Sequence, residues 1–487
     1  MTTSAFHTRK FTSLVGPIVA ANVITERHQH GVIAAVLQQP APVSLPSLDA
    51  LPLEQRANVI RATQAFRRDI IGGGTRLGQH LNLSSEGVRG LAQYCAAFKL
   101  HGADKLAWAE QFLGIRISGN TLDARIQRTN CPVYWSRALR VAIRRRREHV
   151  FLHAGLVSAA AEQYVSDFQL KERAWQLEQQ KKWMENTLLV HSAMPPDEEP
   201  KTLAEVAKSP WQRFSKLYAF TKAMDAIAEE NSLSAAMLTL TLEPQWHPNP
   251  QYGKNSWNGA SPRDAHRSLA QRWQSVLRDL HRVNIGISGL RVVEAHQDGC
   301  PHWHIWMLYR PEVELDILET VMKYFPNKLK VRSSGTSRKS TARSDYYDTV
   351  SDLTSGSGRK AAYPKEGAQT EWARIDRSIS SGATYAMKCL LKTVDAGTAL
   401  NEEVGLFDDH ADAGQKSEAQ KAHQQACKRV DAYRGVWGIN AGQLFGVAKC
   451  LTAWDELRRL TTAPKHPQLY TLWELVMTQQ FLLSSCG

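Results

Sequence analysis

No Cys-x-x-Cys pair occurs in the 487 residues, and the seven cysteines are an odd number. That argues against a zinc ribbon or a disulfide framework and fits a reducing compartment. No Gly-Lys-Ser or Gly-Lys-Thr triplet is present, so Gly72-Gly73-Gly74 reads as a turn or hinge and the chain lacks the phosphate loop of an ATP-driven helicase. No apolar run reaches the ~18 residues of a membrane helix. Phe11 to Ile24 follows Arg9 and Lys10, but Pro17, Asn22 and the lack of a cleavage site argue against export. The expectation is a cytoplasmic protein with no membrane partner. Acidic residues are the scarce charge, with 47 Asp and Glu against 60 Lys and Arg, a net +13. Such a surplus points to a polyanion, and with membranes set aside that polyanion is nucleic acid.

What is present is ordinary globular composition, 43% hydrophobic and 22% charged. The chain divides into an N-terminal region 1–105 of unknown role, a helical basic region 106–235, a strand-bearing domain 236–400 and a C-terminal region 401–487. Pro195 to Pro200 reads as a linker. Met237 to Leu242 alternates apolar residues with threonine and reads as a strand. Asp264 to Val283 places Leu269, Trp273, Val276, Leu277 and Leu280 at helical spacing, the pattern of a helix on a sheet. Leu290 to His296 and His302 to Tyr309 form a hairpin around Asp298-Gly299-Cys300-Pro301. Residues 329–360 read as a flexible basic insertion, Arg374 to Arg377 as a short strand, and 382–393 as a helix. The fold class expected is α+β, a sheet with packed helices after a mainly helical N-terminal region and before a small C-terminal one.

Arg144, Arg145, Arg146 and Arg147 point all around a helix, so they cannot share one face. Two readings stand, a solvated helix or contact with DNA phosphates. Trp175 and Trp183 are expected in the core.

The chemistry concentrates at Arg291-Val-Val-Glu-Ala-His-Gln-Asp-Gly-Cys-Pro-His-Trp-His304. Period two puts His302 and His304 on one face of a strand, and Glu294, His296 and Asp298 on one face of the strand before it. A three-residue loop 298–300 joins the two faces and sets Glu294 opposite His304 and His296 opposite His302. Two imidazoles and a carboxylate suit a divalent cation with open positions, and a zinc hydrolase site fits the same donors. Tyr385, Lys388, Cys389 and Lys392 stand at i, i+3, i+4 and i+7 of a helix. Ammonium groups there would favour a phenolate nucleophile and hold a phosphate; a surface helix with solvated lysines gives the same spacing.

These residues resemble the bacteriophage gene A-type replication proteins, rolling-circle initiators of the His-hydrophobic-His (HUH) endonuclease superfamily. The motifs carrying the resemblance are Met237-Leu-Thr-Leu-Thr241 with Trp246-His247-Pro248, Glu294-Ala-His-Gln-Asp-Gly-Cys-Pro-His302-Trp-His304, and Tyr385-x-x-Lys388 with Lys392 beyond. Softer likeness at Tyr134-Trp135, Arg429 to Gly438 and Trp454 to Arg459 extends it over about 130–460.

The resemblance implies an HUH domain with an antiparallel sheet at 236–400. His302 and His304 would ligate Mg²⁺ or Mn²⁺, with Glu294 as third ligand and His296 as its alternative. Tyr385, assisted by Lys388, would attack a phosphodiester of single-stranded origin DNA. A 5′-phosphotyrosine and a free 3′-OH would result, for a host polymerase to extend behind a host helicase in the bacterial cytoplasm. Lys392 and Arg144–Arg147 would contact DNA. The chain departs from the family at Cys389, where many members carry a second tyrosine. A second nucleophile would then come from another copy, from water, or from Tyr346, Tyr347 or Tyr363.

Overall fold

The computed structural model describes residues 52–54, 57, 85–98, 100, 102–111, 113–190, 199–207, 210–332, 344–357, 359–361, 369–378, 382–391, 413–447, 450–457, 459–471, 473–474 and 477. Eight strands build one sheet: β1 Ser234–Leu240, β2 Ser288–Ala295, β3 Pro301–Tyr309, β4 Leu329–Arg332, β5 Ser344–Tyr347, β6 Arg359–Ala361, β7 Thr370–Arg374 and β8 Gly442–Phe445. Their order is β8-β2-β3-β1-β7-β4-β5-β6. Neighbours run antiparallel except β4 and β7, which are parallel. The helices that frame it are α1 Ser85–Ala97, α2 Gly102–Gln111, α3 Leu122–Thr129, α4 Pro132–His153, α5 Asp167–Glu185, α6 Pro210–Glu230, α7 Pro262–Arg282, α8 Glu314–Tyr324, α9 Gly382–Leu391 and α10 Ala413–Trp437. The class is thus mixed α+β with a mostly antiparallel sheet.

Strand β1 is central and apolar on both faces, with Ala235, Ala236, Met237, Leu238 and Leu240 all buried. Alternation sends them to two cores. On one side Leu238 and Leu240, with Trp303 and Ile305 of β3, meet Leu269, Trp273, Val276 and Leu280 of α7, Ile317 and Val321 of α8, and Tyr433 and Trp437 of α10. Each such Leu or Val side chain removed from water contributes about 1.5–3 kcal/mol. Helix α7 starts where Ser261 and Asp264 form a capping box ahead of Pro262, and it ends with His281 and Arg282 in the last turn. On the other side Met237, Leu290, Val292, Trp306 and Leu308 meet Tyr218 and Met224 of α6 and Ala386, Met387 and Leu390 of α9. A third cluster joins α1, α2 and α4 through Leu91, Cys95, Trp108, Trp135 and Leu139.

Three expectations change. The described part of 329–360 is not a loop: Leu329, Tyr346 and Val350 are buried among the polar residues and bring β4, β5 and a short helix, Val350–Ser355, onto the sheet, while 333–343 lie outside the described residues. The strand expected at 374–377 lies at Thr370–Arg374, since Arg377 leaves the ladder to pair with Asp225 at 3.1 Å. Trp175 and Trp183 are not core; each is 60% exposed, because α5 carries no continuous apolar stripe and buries only Gln169.

Candidate metal centre

The hairpin turn is three residues, 297–299, one position earlier than the spacing implies. His296 N–H donates to the Cys300 carbonyl at 2.8 Å, and Gly299 N–H donates to the His296 carbonyl at 2.8 Å. Gly299 takes φ +85°, the left-handed third position that such a loop requires. The Asp298 carboxylate accepts from Cys300 N–H at 3.0 Å and fixes the turn. Register follows: Glu294 pairs with His302, and His304 with Val292, rather than Glu294 with His304. An odd loop length preserves parity, so the expected sharing of one face holds although the pairing does not.

The three side chains converge. His302 Nε2 and His304 Nε2 are 3.0 Å apart, and Glu294 Oε2 lies 3.5 Å from the first and 3.2 Å from the second. Across the sheet Thr239 stands opposite His304, and its hydroxyl is 2.9 Å from His304 Nδ1. When Nδ1–H donates to that hydroxyl, Nε2 keeps a lone pair aimed at the cluster. Two bare imidazole nitrogens and a carboxylate oxygen so close repel one another unless ring protons or a metal cation lie between them. Ligands at about 2.1 Å in an octahedral shell sit about 3 Å apart, which the separations here match. Glu294 Oε1 and His302 Nδ1 are buried with no hydrogen-bond partner among the described residues. A divalent cation therefore fits this donor set.

Electrostatics agree. Burial opposes the charge on Glu294, but His302 and His304 outweigh it and hold the carboxyl well below its ordinary range. Burial pushes His302 down, and it pushes His296 well down with help from His302 and His247. Both rings stay neutral and able to bind metal. His296 adjoins the trio, its ring centroid 4.3 Å from that of His302 and its Nε2 buried without a partner. Behind it, His247 Nδ1 and Asp298 Oδ2 are 2.9 Å apart. Sequence reading did not give Thr239 this contact, although its place on β1 implies the shared face.

Glu294, His302 and His304 follow the parity of Trp306 and Leu308, so they lie on the α6 and α9 face. Helix α9 begins against it: a Cβ on Gly382 would come within 2.6 Å of Trp306 Nε1, so only glycine allows this approach. Asp225 of α6 anchors the start by accepting from Ala383 N–H at 3.2 Å. Tyr385 sits one turn further along α9. Its side chain, and all of Lys392 and Tyr363, lie outside the described residues. Lys388 is partly exposed, whereas Cys389 is buried with Met237 and Val292. Of the other tyrosines considered, Tyr346 is 5% exposed and Tyr347 packs on the main core.

The arginine run engages the fold. Arg144 and Arg147 approach Glu172 of α5 at 3.5 and 3.6 Å, and Arg147 stacks on Phe168 at 4.3 Å. Arg145 donates to the Val436 carbonyl of α10 at 2.9 Å, and burial lowers Arg146 to about 10. Arg137 and Arg140, earlier on α4, are exposed.

A model of the bacteriophage replication gene A protein (GPA) family matches residues 75–363, which hold the Glu–His–His trio and end before Tyr385. The replication protein of Haemophilus phage HP1 is 28% identical over 349 residues, 71% of this chain and 39% of that protein. The replication gene A protein of Escherichia phage 186 is 27% identical over 336 residues, 67% of this chain and 42% of that protein. A probable replication endonuclease from a prophage-like region of Shigella boydii is 23% identical over 201 residues, 41% of this chain and 25% of that protein. The chain thus spans less than half the length of these relatives. No solved structure matches it. No helix among the described residues is long and apolar enough to cross a membrane. With more than half of its length inside the family match, the chain belongs to the bacteriophage replication gene A family.

Proposed function

We propose that this chain is a divalent-metal-dependent, single-strand DNA endonuclease and joining enzyme of the HUH type that initiates rolling-circle replication of phage DNA. The observation that carries the reading is the convergence of Glu294, His302 and His304 within 3.5 Å on the sheet face where the helix bearing Tyr385 packs. Names of relatives that include "replication endonuclease" support it. So does the net +13 charge.

In this reading Glu294, His302 and His304 hold Mg²⁺ or Mn²⁺, and Thr239 fixes the tautomer of His304. The bound cation would polarise the scissile phosphate and offset its charge in the transition state. The Tyr385 phenol gives up its proton and its oxygen attacks phosphorus. The new O–P bond forms as the bond to the 3′ oxygen breaks, and that oxygen takes a proton to become a free 3′-OH. The phosphotyrosine keeps the energy of the phosphodiester, so a later 3′-OH reverses the step and joins the strand. Lys388 assists at the phosphate, and Lys392 contacts DNA. Arg144 and Arg147 fasten α4 to α5, Arg145 fastens it to α10, and exposed Arg137 and Arg140 of the same helix are left to meet phosphates. A host helicase and polymerase serve the 3′-OH.

The test uses purified chain, a pool of labelled single-stranded oligonucleotides and Mn²⁺, resolved on a denaturing gel. A protein–DNA band that chelator and Tyr385→Phe both abolish is the expected result. A band that survives Tyr385→Phe sinks the assignment of the nucleophile, and the absence of metal dependence sinks the centre.

A further inference from the structure

Among the described residues, another tyrosine stands by this centre, on the loop between α4 and α5. Tyr164 holds φ +68°, a left-handed backbone uncommon for any residue but glycine, asparagine and aspartate. Such a conformation persists where the surroundings over-determine it, and three separate parts of the fold do so here. The hairpin grips it first: Tyr164 N–H donates to the Gln297 carbonyl at 3.0 Å, and the Tyr164 carbonyl lies 3.6 Å from where a Cβ on Gly299 would be. Arg429 of α10 grips both flanks, donating to the Gln163 carbonyl at 3.3 Å and the Val165 carbonyl at 2.9 Å, with Asp167 as its ion-pair partner. Glu148 of α4 holds the next residue, accepting from Ser166 N–H at 2.8 Å and from its hydroxyl at 2.6 Å.

A loop serving only as a connection has no need of an arginine, a buried glutamate and a turn carbonyl all fixed around one strained residue. What they fix is the backbone of Tyr164 against the turn of the hairpin that carries Glu294, with the phenol side chain half-buried there. Burial first, and the Glu294 carboxylate second, raise the Tyr164 phenol above its ordinary value. The backbone bond to Gln297 sets Tyr164 three residues from Glu294 along the hairpin, and the phenol keeps its O–H at neutral pH.

Resting on the nuclease reading above, we propose that Tyr164 is a second phenol of the site, donating a hydrogen bond to a non-bridging phosphate oxygen of the DNA strand cleaved there. It is a donor and not a nucleophile, and it reaches the site from the helical region, so α4, α5 and α10 hold a part of the site in place. Preorganised donors aimed at developing phosphate charge accelerate the step without binding metal.

The experiment uses the full chain and a cleaved single-stranded oligonucleotide with Mn²⁺. Tyr164→Phe removes only the hydroxyl, and Tyr164→Asn removes the phenol with a residue that tolerates the left-handed backbone. Both are expected to slow single-turnover cleavage at least about tenfold. Mn²⁺ affinity by calorimetry and the thermal midpoint should stay at the parent values, and the adduct should map to Tyr385. Parent rates in Tyr164→Phe overturn the role, as does a fall in Mn²⁺ affinity matching the fall in rate, or an adduct on Tyr164 itself. A parent chain that cleaves nothing removes the nuclease reading and this role with it, whereas parent cleavage with an unimpaired Tyr164→Phe removes this role alone.

Discussion

Strand β3 presents two surfaces of opposite character. Trp303, Ile305, Met307 and Tyr309 face α7 and α8 and are almost wholly buried in an apolar core. His302, His304, Trp306 and Leu308 face α6 and α9; the last two are buried with apolar partners, while the first two sit at a polar end with Glu294. The first surface closes on itself. Among the described residues the second gathers three buried atoms without hydrogen-bond partners at one place, Glu294 Oε1, His302 Nδ1 and His296 Nε2, whereas those of the first, Trp372 Nε1 and Tyr433 Oη, belong to rings packed in the apolar core. Orphaned buried polar atoms are costly, at about 1–3 kcal/mol each, and folds tolerate them where a ligand completes the set. One strand therefore separates an apolar packing surface from the surface proposed to bind metal.

The largest expected effect tests the closed face. Leu269 of α7 is fully buried in it, and Leu269→Ala should cost about 2–5 kcal/mol of stability through lost burial and a residual cavity. Urea unfolding measures this. Mn²⁺ affinity, measured well below the unfolding midpoint, should not move. A loss of Mn²⁺ affinity with the fold intact would break the separation between the two surfaces.

Next in size is the polar end itself. Glu294→Gln keeps the shape but removes the charge that holds two imidazoles together, and Mn²⁺ affinity should fall roughly 100-fold, about 2.7 kcal/mol. Without metal, the variant should be less stable than the parent, because His302 and His304 outweigh the burial cost of the carboxylate and its ionised form favours the fold. Destabilisation of the metal-free variant together with unchanged Mn²⁺ binding would mean the trio is a structural ion-pair network.

The contrast between the surfaces was partly legible in the sequence. Period two alone gave the faces of β2 and β3, and Gly299 located the turn, because strand alternation and positive φ are local properties. The turn escaped by one residue and the register with it by two, because they depend on the Asp298 side chain capping Cys300 N–H, which spacing does not encode. Tyr164 escaped altogether: it is 130 residues from Glu294, and its place beside the hairpin turn rests on its own N–H bond to the Gln297 carbonyl and on the holds of Arg429 and Glu148 on its neighbours. The arginine run was visible as charge, yet whether each guanidinium meets Glu172, a carbonyl or water depends on where α5 and α10 pack. Trp175 and Trp183 misled for the same reason, since an aromatic residue is buried only if a partner element arrives.

The finest test of the comparison lies at Thr239, the one residue of β1 whose polar side chain supports the centre across the sheet. Its hydroxyl is 2.9 Å from His304 Nδ1, and a methyl in its place can neither accept nor donate. In Thr239→Val the His304 ring is free to move its proton to Nε2, where the lone pair needed for the metal is lost. Support of this kind is worth about tenfold in metal affinity, roughly 1.4 kcal/mol, a smaller loss than removal of a ligand. Thr239→Ser restores the hydroxyl and should restore the affinity, while Val retains the packing volume that Ser lacks. If affinity instead follows volume, with Thr239→Val at the parent value and Thr239→Ser impaired, then the strand supports the site only by packing. The polar end would then extend no further than Glu294, His302 and His304 themselves.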